Sequence, residues 1–503
     1  MLTLTGYIPS SIARAGCAGA GRLSRFSSVR KFSSGSANSQ WQALTWTTQQ
    51  PGHVTTDEII SSYAHLHPSS KQSPVVPILF ASPEFTAWTE PTSPLLSEWA
   101  TPLLKHLHTN DGPNVVYTIA AVVDKVSSNG GGRNTTATEG LSLLLADSSC
   151  ITASIATPAR LKSNTSDEPA FFLATRNPVD QNSAQSHEIG LRLAQTVFRN
   201  GRDRTLLGMR WTRDETSNNY VLDSYRDLSS CSITAPVRET HCAVNVPFHP
   251  VTQRRRVISS MGNILRQVSK STNDDGDLNA GIPASSELEK ELPRYVSERG
   301  IPHQRVAVWA LVEPASSSTI TTQQNIQGSL SNGSKIHRVV SGGGGWGKKQ
   351  GLLSLDPEAT FGAASRSRET SLDEVFTSTT EAELAFTNDL PDFLEGLGLE
   401  ENIAQLSQVA TPGDYIQFFV TSEDELIHKD SSVSSALTYS FGVESPEESQ
   451  TSSTTSEGVV VIQNHFGAVS ESAISYSQKD PSQVSTCETK ISVPGSRIDL
   501  SVT

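Results

Sequence analysis

The run Ser341-Gly342-Gly343-Gly344-Gly345-Trp346-Gly347-Lys348-Lys349-Gln350-Gly351 is the chain's densest concentration of residues able to do chemistry. From Gly342 it meets the G-x-x-x-x-G-K spacing of a phosphate-cradling loop, which makes Gly342, Gly345, Gly347 and Lys348 the candidate phosphate-binding residues. Such a loop needs glycine because its backbone N–H groups must turn inward around phosphate oxygens. Two departures count against nucleotide chemistry. Lys349 stands where a Ser or Thr hydroxyl would hold magnesium, and Gly351 to Pro357 is too short for the helix whose N-terminus completes such a site. A structural glycine turn, with Trp346 packed on a neighbouring strand, is the simpler expectation.

A second feature is basic. Arg238, Arg254, Arg255, Arg256, Arg266 and Lys270 lie together in an otherwise acidic chain. Val257, Met261, Ile264, Leu265 and Val268 fall at helical spacing, which predicts a helix from Thr252 to about Lys270 with the three consecutive arginines at its start. Cations there oppose the helix dipole. Arg254, Arg255 and Arg256 are therefore the candidate partner-binding residues, set against the plainer reading of a solvated face.

Catalytic constellations are absent: no G-x-S-x-G elbow, no H-E-x-x-H and no dinucleotide G-x-G-x-x-G. Cys150, Cys231, Cys242 and Cys487 form no CxxC pair and have no zinc-finger spacing, so reduced thiols are expected and neither a metal nor a cofactor is implied. His65/His67 and His106/His108 read as surface histidines.

The elements that must position these residues follow from periodicity. Short apolar runs predict strands at Val75 to Phe80, Val115 to Val123, Leu141 to Leu145, Phe171 to Ala174, Thr205 to Trp211 and Tyr220 to Leu222. Helical spacing predicts helices over 95–108, with Leu96, Trp99, Leu103, Leu104 and Leu107 inward, and over 183–199. Farther on, a helix over 286–298, strands at 306–312, 336–340, 415–420 and 459–463, and acidic helical patterns over 372–408 are expected. Strands interleaved with helices argue for an α/β fold, a layered mixed sheet with helices. The expected organisation is two cores, an N-terminal α/β domain over 40–235 and a second one over 236–428. A disordered Ser/Thr-rich linker over 429–457 and a C-terminal strand segment over 458–503 complete it.

Ahead of Asp57, the first acidic residue, lie Arg14, Arg22, Arg25, Arg30 and Lys31 among Ser, Ala, Gly and Leu. An Arg-rich, Ser-rich, acid-poor leader is the composition of a mitochondrial transit peptide. Arg30-Lys31-Phe32-Ser33 resembles mitochondrial processing sites, so residues 1–39 are expected to be a targeting presequence and the mature protein to work in the matrix. Losing those five cations would take the net charge from −13 to −18, which disfavours a nonspecific nucleic-acid binder. No apolar run is long enough for a spanning helix.

From Val75 to about Thr175 the chain resembles FIST sensory domains. The points of contact are Leu79-Phe80-Ala81-Ser82-Pro83, a helix, the strand Val116 to Val123, a glycine-rich gap, and Glu139-Gly140-Leu141-Ser142-Leu143-Leu144-Leu145. The resemblance implies small-ligand sensing or partner binding in place of catalysis, and carries over no ligand-binding residue. The expected function is a non-catalytic mitochondrial binding or assembly protein with a protein partner, supporting organelle gene expression or respiratory function. A small-ligand sensory protein and a phosphate- or nucleotide-binding enzyme using the glycine-rich loop are the alternatives.

Overall fold

The computed structural model describes residues 41–502 except 69–73, 109–111, 130–134, 157–168, 178–185, 198–200, 272–279, 301–305, 317–325, 343–350, 361–365, 378–407, 422–436, 446–457 and 480–486, and the single positions 203, 215, 238, 359 and 367. The presequence expected over 1–39 lies outside the described residues.

The first part of the chain supplies β1 (Gln42–Thr48), α1 (Thr56–Ser61), β2 (Val75–Ala81), α2 (Pro94–Leu107), β3 (Val115–Val122), β4 (Lys125–Asn129), β5 (Thr135–Asp147) and β6 (Ile151–Ile155). It continues with β7 (Ala170–Arg176), β8 (Ser186–Arg192), β9 (Leu206–Asp214), β10 (Asn219–Pro236) and β11 (Thr240–Asn245). Strands β2 and β3 read as unbroken apolar text because both of their faces are covered. On β2, Val76, Ile78 and Phe80 face one core, while Val75, Leu79 and Ala81 face another beneath the helices. Helix α2 starts where the Ser93 hydroxyl accepts from the Leu95 N–H, and it buries Leu96, Trp99, Leu103, Leu104 and Leu107 as its spacing predicts. Pro102 sits inside it, at the cost of one helical hydrogen bond.

The middle of the chain builds a smaller unit from β12 (Phe248–Pro250), β13 (Arg255–Met261), β14 (Ile264–Ser269), β15 (Gly281–Pro283), α3 (Ser286–Arg299), β16 (Trp309–Glu313), α4 (Ile326–Ser331), β17 (Lys335–Gly342) and β18 (Leu353–Leu355). After β19 (Thr370–Ser371) and α5 (Leu372–Thr377), β20 (Tyr415–Thr421) completes it. The antiparallel ladder β20–β13–β14–β18–β17–β16 returns to β20 and closes a barrel. Its interior holds Val257, Leu265, Val268, Ala310, Val312, Leu355, Ile416 and Phe418, while the alternate residues Trp309 and Leu311 face outward into the larger core.

The chain then returns with β21 (Leu437–Val443), β22 (Val460–Gln463), β23 (His465–Ser470), β24 (Ile474–Lys479), β25 (Cys487–Ile491) and β26 (Arg497–Val502). The main body has three walls. The first runs β22–β1–β5–β2–β3–β9–β10 and carries α1 and α2 on one face. The second runs β5–β4–β23–β21–β26–β11, and the third β19–β6–β10–β7–β8–β24–β25. The long strands β5 and β10 each serve two walls, as bent strands do at the corners of packed sheets. Most pairings are antiparallel, but β2 with β3, β21 with β23, and β7 with β10 run parallel.

Several expectations are corrected. The fold is mainly β with mixed sheets, not a balanced α/β layering. The helix expected over 252–270 is the hairpin β13–β14. Val257 and Val268 are direct cross-strand partners, Gly262 takes φ +59° in the two-residue turn, and Met261 is 63% exposed. A hairpin folded at Gly262-Asn263 buries Val257, Leu265 and Val268 of that stripe and leaves Met261 outside, and the turn chemistry decides between hairpin and helix. The helix expected over 183–199 gives way to β8, where His187, Ile189 and Leu191 are buried at period 2 and Val197 is exposed. Of the acidic helical text over 372–408, α5 is helical and 378–407 lies outside the described residues. Within the linker expected over 429–457, β21 is a core strand with Tyr439 and Phe441 buried. Residues 39–503 form one compact unit: β10 crosses the expected 235/236 boundary, and β11 pairs with β26.

Candidate functional site

The two features singled out in the sequence meet at the start of α3. Gly342 is the last residue of β17 and faces Leu353 on β18, so the glycine-rich connection joins two antiparallel strands, and a strand follows it where a phosphate loop leads into a helix. Gly345, Gly347 and Lys348 lie outside the described residues. Gly351, at φ +81°, packs on Pro283, and its carbonyl accepts from the Ser285 N–H at 3.2 Å. Two residues on, the Glu287 carboxylate takes the Arg255 guanidinium and the Gln253 N–H (3.2 Å). Glu287 and Glu289 thus already occupy the positive end of the helix dipole, where an anionic ligand would sit.

Two of the three arginines are engaged inside the chain. Arg254 stacks 3.5 Å from the Tyr415 ring centroid and pairs with Glu313, a carboxylate whose side chain is 3% exposed. Burial raises the Glu313 carboxyl, and the Arg254 guanidinium opposes that shift. Arg255 adds hydrogen bonds to the carbonyls of Ser269 (3.1 Å) and Lys270 (2.8 Å). These contacts tie β13 to α3, β16 and β20.

A third cluster forms where two parallel strand pairs end together. Ser82 follows β2: its N–H donates to Gly140 (3.0 Å), its hydroxyl donates to the Glu139 carboxylate (2.6 Å), and the same oxygen accepts from the Gly140 N–H (2.9 Å). Gly140 is required there, because a Cβ would lie 1.9 Å from the Trp46 carbonyl oxygen. One strand across, the Val123 N–H donates to Ala81 at 2.9 Å, and Asp124, just past β3, accepts from the Glu471 N–H at 2.7 Å. Lys125 pairs with Glu444 at 2.7 Å, and the Glu444 N–H donates to Ser470 at 2.9 Å. The carboxyl ends of β2, β3, β21 and β23 therefore share one polar crown of Ser82, Asp124, Lys125, Glu139, Glu444, Ser470 and Glu471.

Burial pushes the Asp124 carboxyl up to about 6, the Glu471 N–H works against that shift, and the charges of Glu471 and Glu444 add to it. A carboxyl poised there can either accept from or donate to a ligand near neutral pH. The crown thus gathers carboxylates and one paired ammonium about the buried hydroxyls of Ser82 and Ser470, which already bond Glu139, Gly140 and Ser472. Periodicity alone did not single out these residues. The available signal was the polar residue directly after an apolar strand: Ser82 after Val75–Ala81, and Asp124 after Val115–Val123.

Elsewhere, burial holds titratable groups in their neutral forms. His465, fully enclosed and pushed down to about 4, lies 3.2 Å from the Thr45 hydroxyl, which is 2.8 Å from that of Ser142. His108, expected at the surface, is buried against Tyr220 and also lowered to about 4. Burial raises the thiols of Cys150, Cys231 and Cys242, the last to about 12, and all three are free. Among the described residues no His/Cys/Asp/Glu group has metal-holding geometry, and no helix is long and apolar enough to cross a membrane. The aromatic cluster of Trp46, Tyr63, Trp88 and Trp99 beneath α2 is packed too closely to admit a water molecule.

No protein-family model matches the chain, and no curated protein or solved structure matches it either.

Proposed function

We propose that this chain is a non-catalytic binding protein of the mitochondrial matrix, and that the polar crown at the ends of β2, β3, β21 and β23 is its ligand site. One observation carries the reading: the stretches that resemble FIST sensory domains end at this crown. Leu79 to Pro83 contributes Ser82, Glu139 and Gly140 bond to it, and the strand Val116 to Val123 delivers Asp124 beside them. A sensory-type domain binds without transforming its ligand, and the raised thiols fit that role, because a thiol held neutral is a poor nucleophile. The ligand class is a small polar molecule with a cationic or hydroxyl donor, since carboxylates dominate the crown. The basic, acid-free leader supports the compartment.

The test is a thermal-shift screen of the chain from residue 40 onward against small polar metabolites, repeated on Glu139→Gln. A stabilising ligand whose effect is lost in the variant supports the reading. A ligand that stabilises both proteins equally places binding elsewhere.

A further inference from the structure

A sheet that ends in water leaves a row of unpaired backbone groups, and such an edge is either guarded or available to another strand. At one end of the first wall, Asn219 to Arg226 of β10 pair with β9 alone. That edge is guarded. A bulge between Leu222 and Ser224 breaks its register, Asp223 and Arg226 set charges along it, and the Thr101 hydroxyl of α2 donates to the Tyr220 carbonyl at 3.1 Å. Strand β11 ends the second wall, and there the Gln327 side-chain amide stands in for a strand. It donates to the Cys242 carbonyl (3.1 Å) and accepts from the Val244 N–H (3.4 Å).

The other end of the first wall is β22, and it has none of these devices. It pairs with β1 over Val460–Gln463, and among the described residues no strand pairs with its outer edge. From Val459 to Asn464 the sequence carries no charge and no proline, and no bulge interrupts the ladder. Val460 and Val461 are 42% and 39% exposed. The register shows which backbone groups point outward. The Asn464 N–H donates to the Ala43 carbonyl at 2.9 Å, and in an antiparallel ladder alternate pairs exchange hydrogen bonds. Val460 and Ile462 therefore direct their backbone groups to Thr47 and Thr45, while Val461 and Gln463 turn theirs away from β1.

We propose that β22 is a dimerisation edge, where a second copy of this chain adds its own β22 antiparallel with the two-fold axis at Ile462. In that register Val461 of each copy faces Gln463 of the other, and every outward N–H meets an outward carbonyl. A second copy fits because the run is uncharged. At a net charge of −13 the chain repels itself wherever acidic side chains meet, and this strand brings none together. The contact is self-complementary, as a closed two-fold interface requires, and the guarded β10 edge denies β22 the head-to-tail pairing that would build a fibre. One short strand from each copy makes a small interface, so the dimer is weak and reversible.

Sedimentation velocity on the full chain across a range of concentrations tests this, with a monomer that shifts toward twice its mass as concentration rises. Val461→Pro removes an outward N–H and leaves the bonds to β1 intact, a position where an edge strand tolerates proline. It should abolish the shift, while Val461→Thr, which keeps the N–H, should dimerise like the unaltered chain. A monomer at every concentration, a dimer that persists in folded Val461→Pro, or growth beyond the dimer would overturn the proposal. A second reading needs no variant. Amide exchange at Val461 and Gln463 in the unaltered chain should slow several-fold as concentration rises, while Asn219 to Arg226 stay unchanged. Exchange at β22 that ignores concentration would overturn it equally.

Discussion

Ser82 and Glu139 stand 57 residues apart in sequence and share a 2.6 Å hydrogen bond at the carboxyl end of β2. The bond closes a small ring of contacts, because the Ser82 oxygen also accepts from the Gly140 N–H. It fixes the last turn of the first parallel pair and orients the Glu139 carboxylate.

Ser82→Ala removes the acceptor of a buried N–H and the donor to a carboxylate. It should cost about 1–3 kcal/mol in urea unfolding. Gly140→Ala should be worse, since its methyl meets the Trp46 carbonyl and backbone must move. A loss of about 3 kcal/mol, or failure to accumulate folded protein, is expected from such overpacking. An unchanged midpoint for Gly140→Ala would contradict the close approach of β1 to β5.

Acid should destabilise the protein from near neutrality downward. His108, His337 and His465 are each lowered from 6.5 to about 4 by burial, so the native state binds fewer protons than the unfolded chain between those values. Their contribution is complete above pH 6.5 and is lost as pH falls toward 4. Asp124, raised from 3.8 to about 6, and Glu313, also raised by burial, act in the opposite sense over their own windows, while His187, also lowered by burial, adds to the three imidazoles. Urea midpoints measured from pH 8 to pH 4.5 should be flat and then fall below about 6.5. A midpoint that rises on acidification would mean that these imidazoles are not buried.

Arg254 and Arg256 should separate sharply. Arg254→Gln strands the buried Glu313 carboxylate and removes the Tyr415 stacking. Its partial exposure puts the cost somewhat below the ~3–5 kcal/mol of a fully buried pair, at about 2–3 kcal/mol. Among the described residues Arg256 forms no ion pair, and Arg256→Gln should stay within about 0.5 kcal/mol. Equal melting temperatures for the two variants would return the triad to the role of a free partner surface.

The leader makes its own prediction. Residues 1–40 fused to a fluorescent protein should enter mitochondria, and Glu at Arg22, Arg25 and Arg30 should abolish entry. Cytosolic fluorescence from the unaltered fusion would remove the matrix from the functional reading.

Much of the main body was legible in the chain, and the reason is physical. Strands β2, β3 and β7 are largely apolar on both faces, and β9 opens with the apolar run Leu206 to Met209, so composition alone marks them, and α2 carries a full helical stripe. Where a hairpin and a helix bury the same residues, spacing misleads: Val257 and Val268 suit both, and only Gly262-Asn263 tells them apart. Strand β21 was hidden in Ser/Thr-rich text because Tyr439 and Phe441 alternate with polar residues against a well-covered sheet. The crown could not be seen as a site. Asp124 meets Glu471 across 347 residues, and no local pattern records a contact that topology alone creates.

Native mass spectrometry of the tagged protein, isolated from mitochondria under gentle conditions, tests most directly whether the crown is a ligand site. A population carrying a discrete small-molecule mass is expected for the unaltered protein. Ser82→Ala and Glu139→Gln, both confirmed as folded by their melting curves, should lose that mass. The same adduct at the same occupancy in all three proteins, or no adduct on any of them, would contradict a ligand site at the ends of β2 and β3.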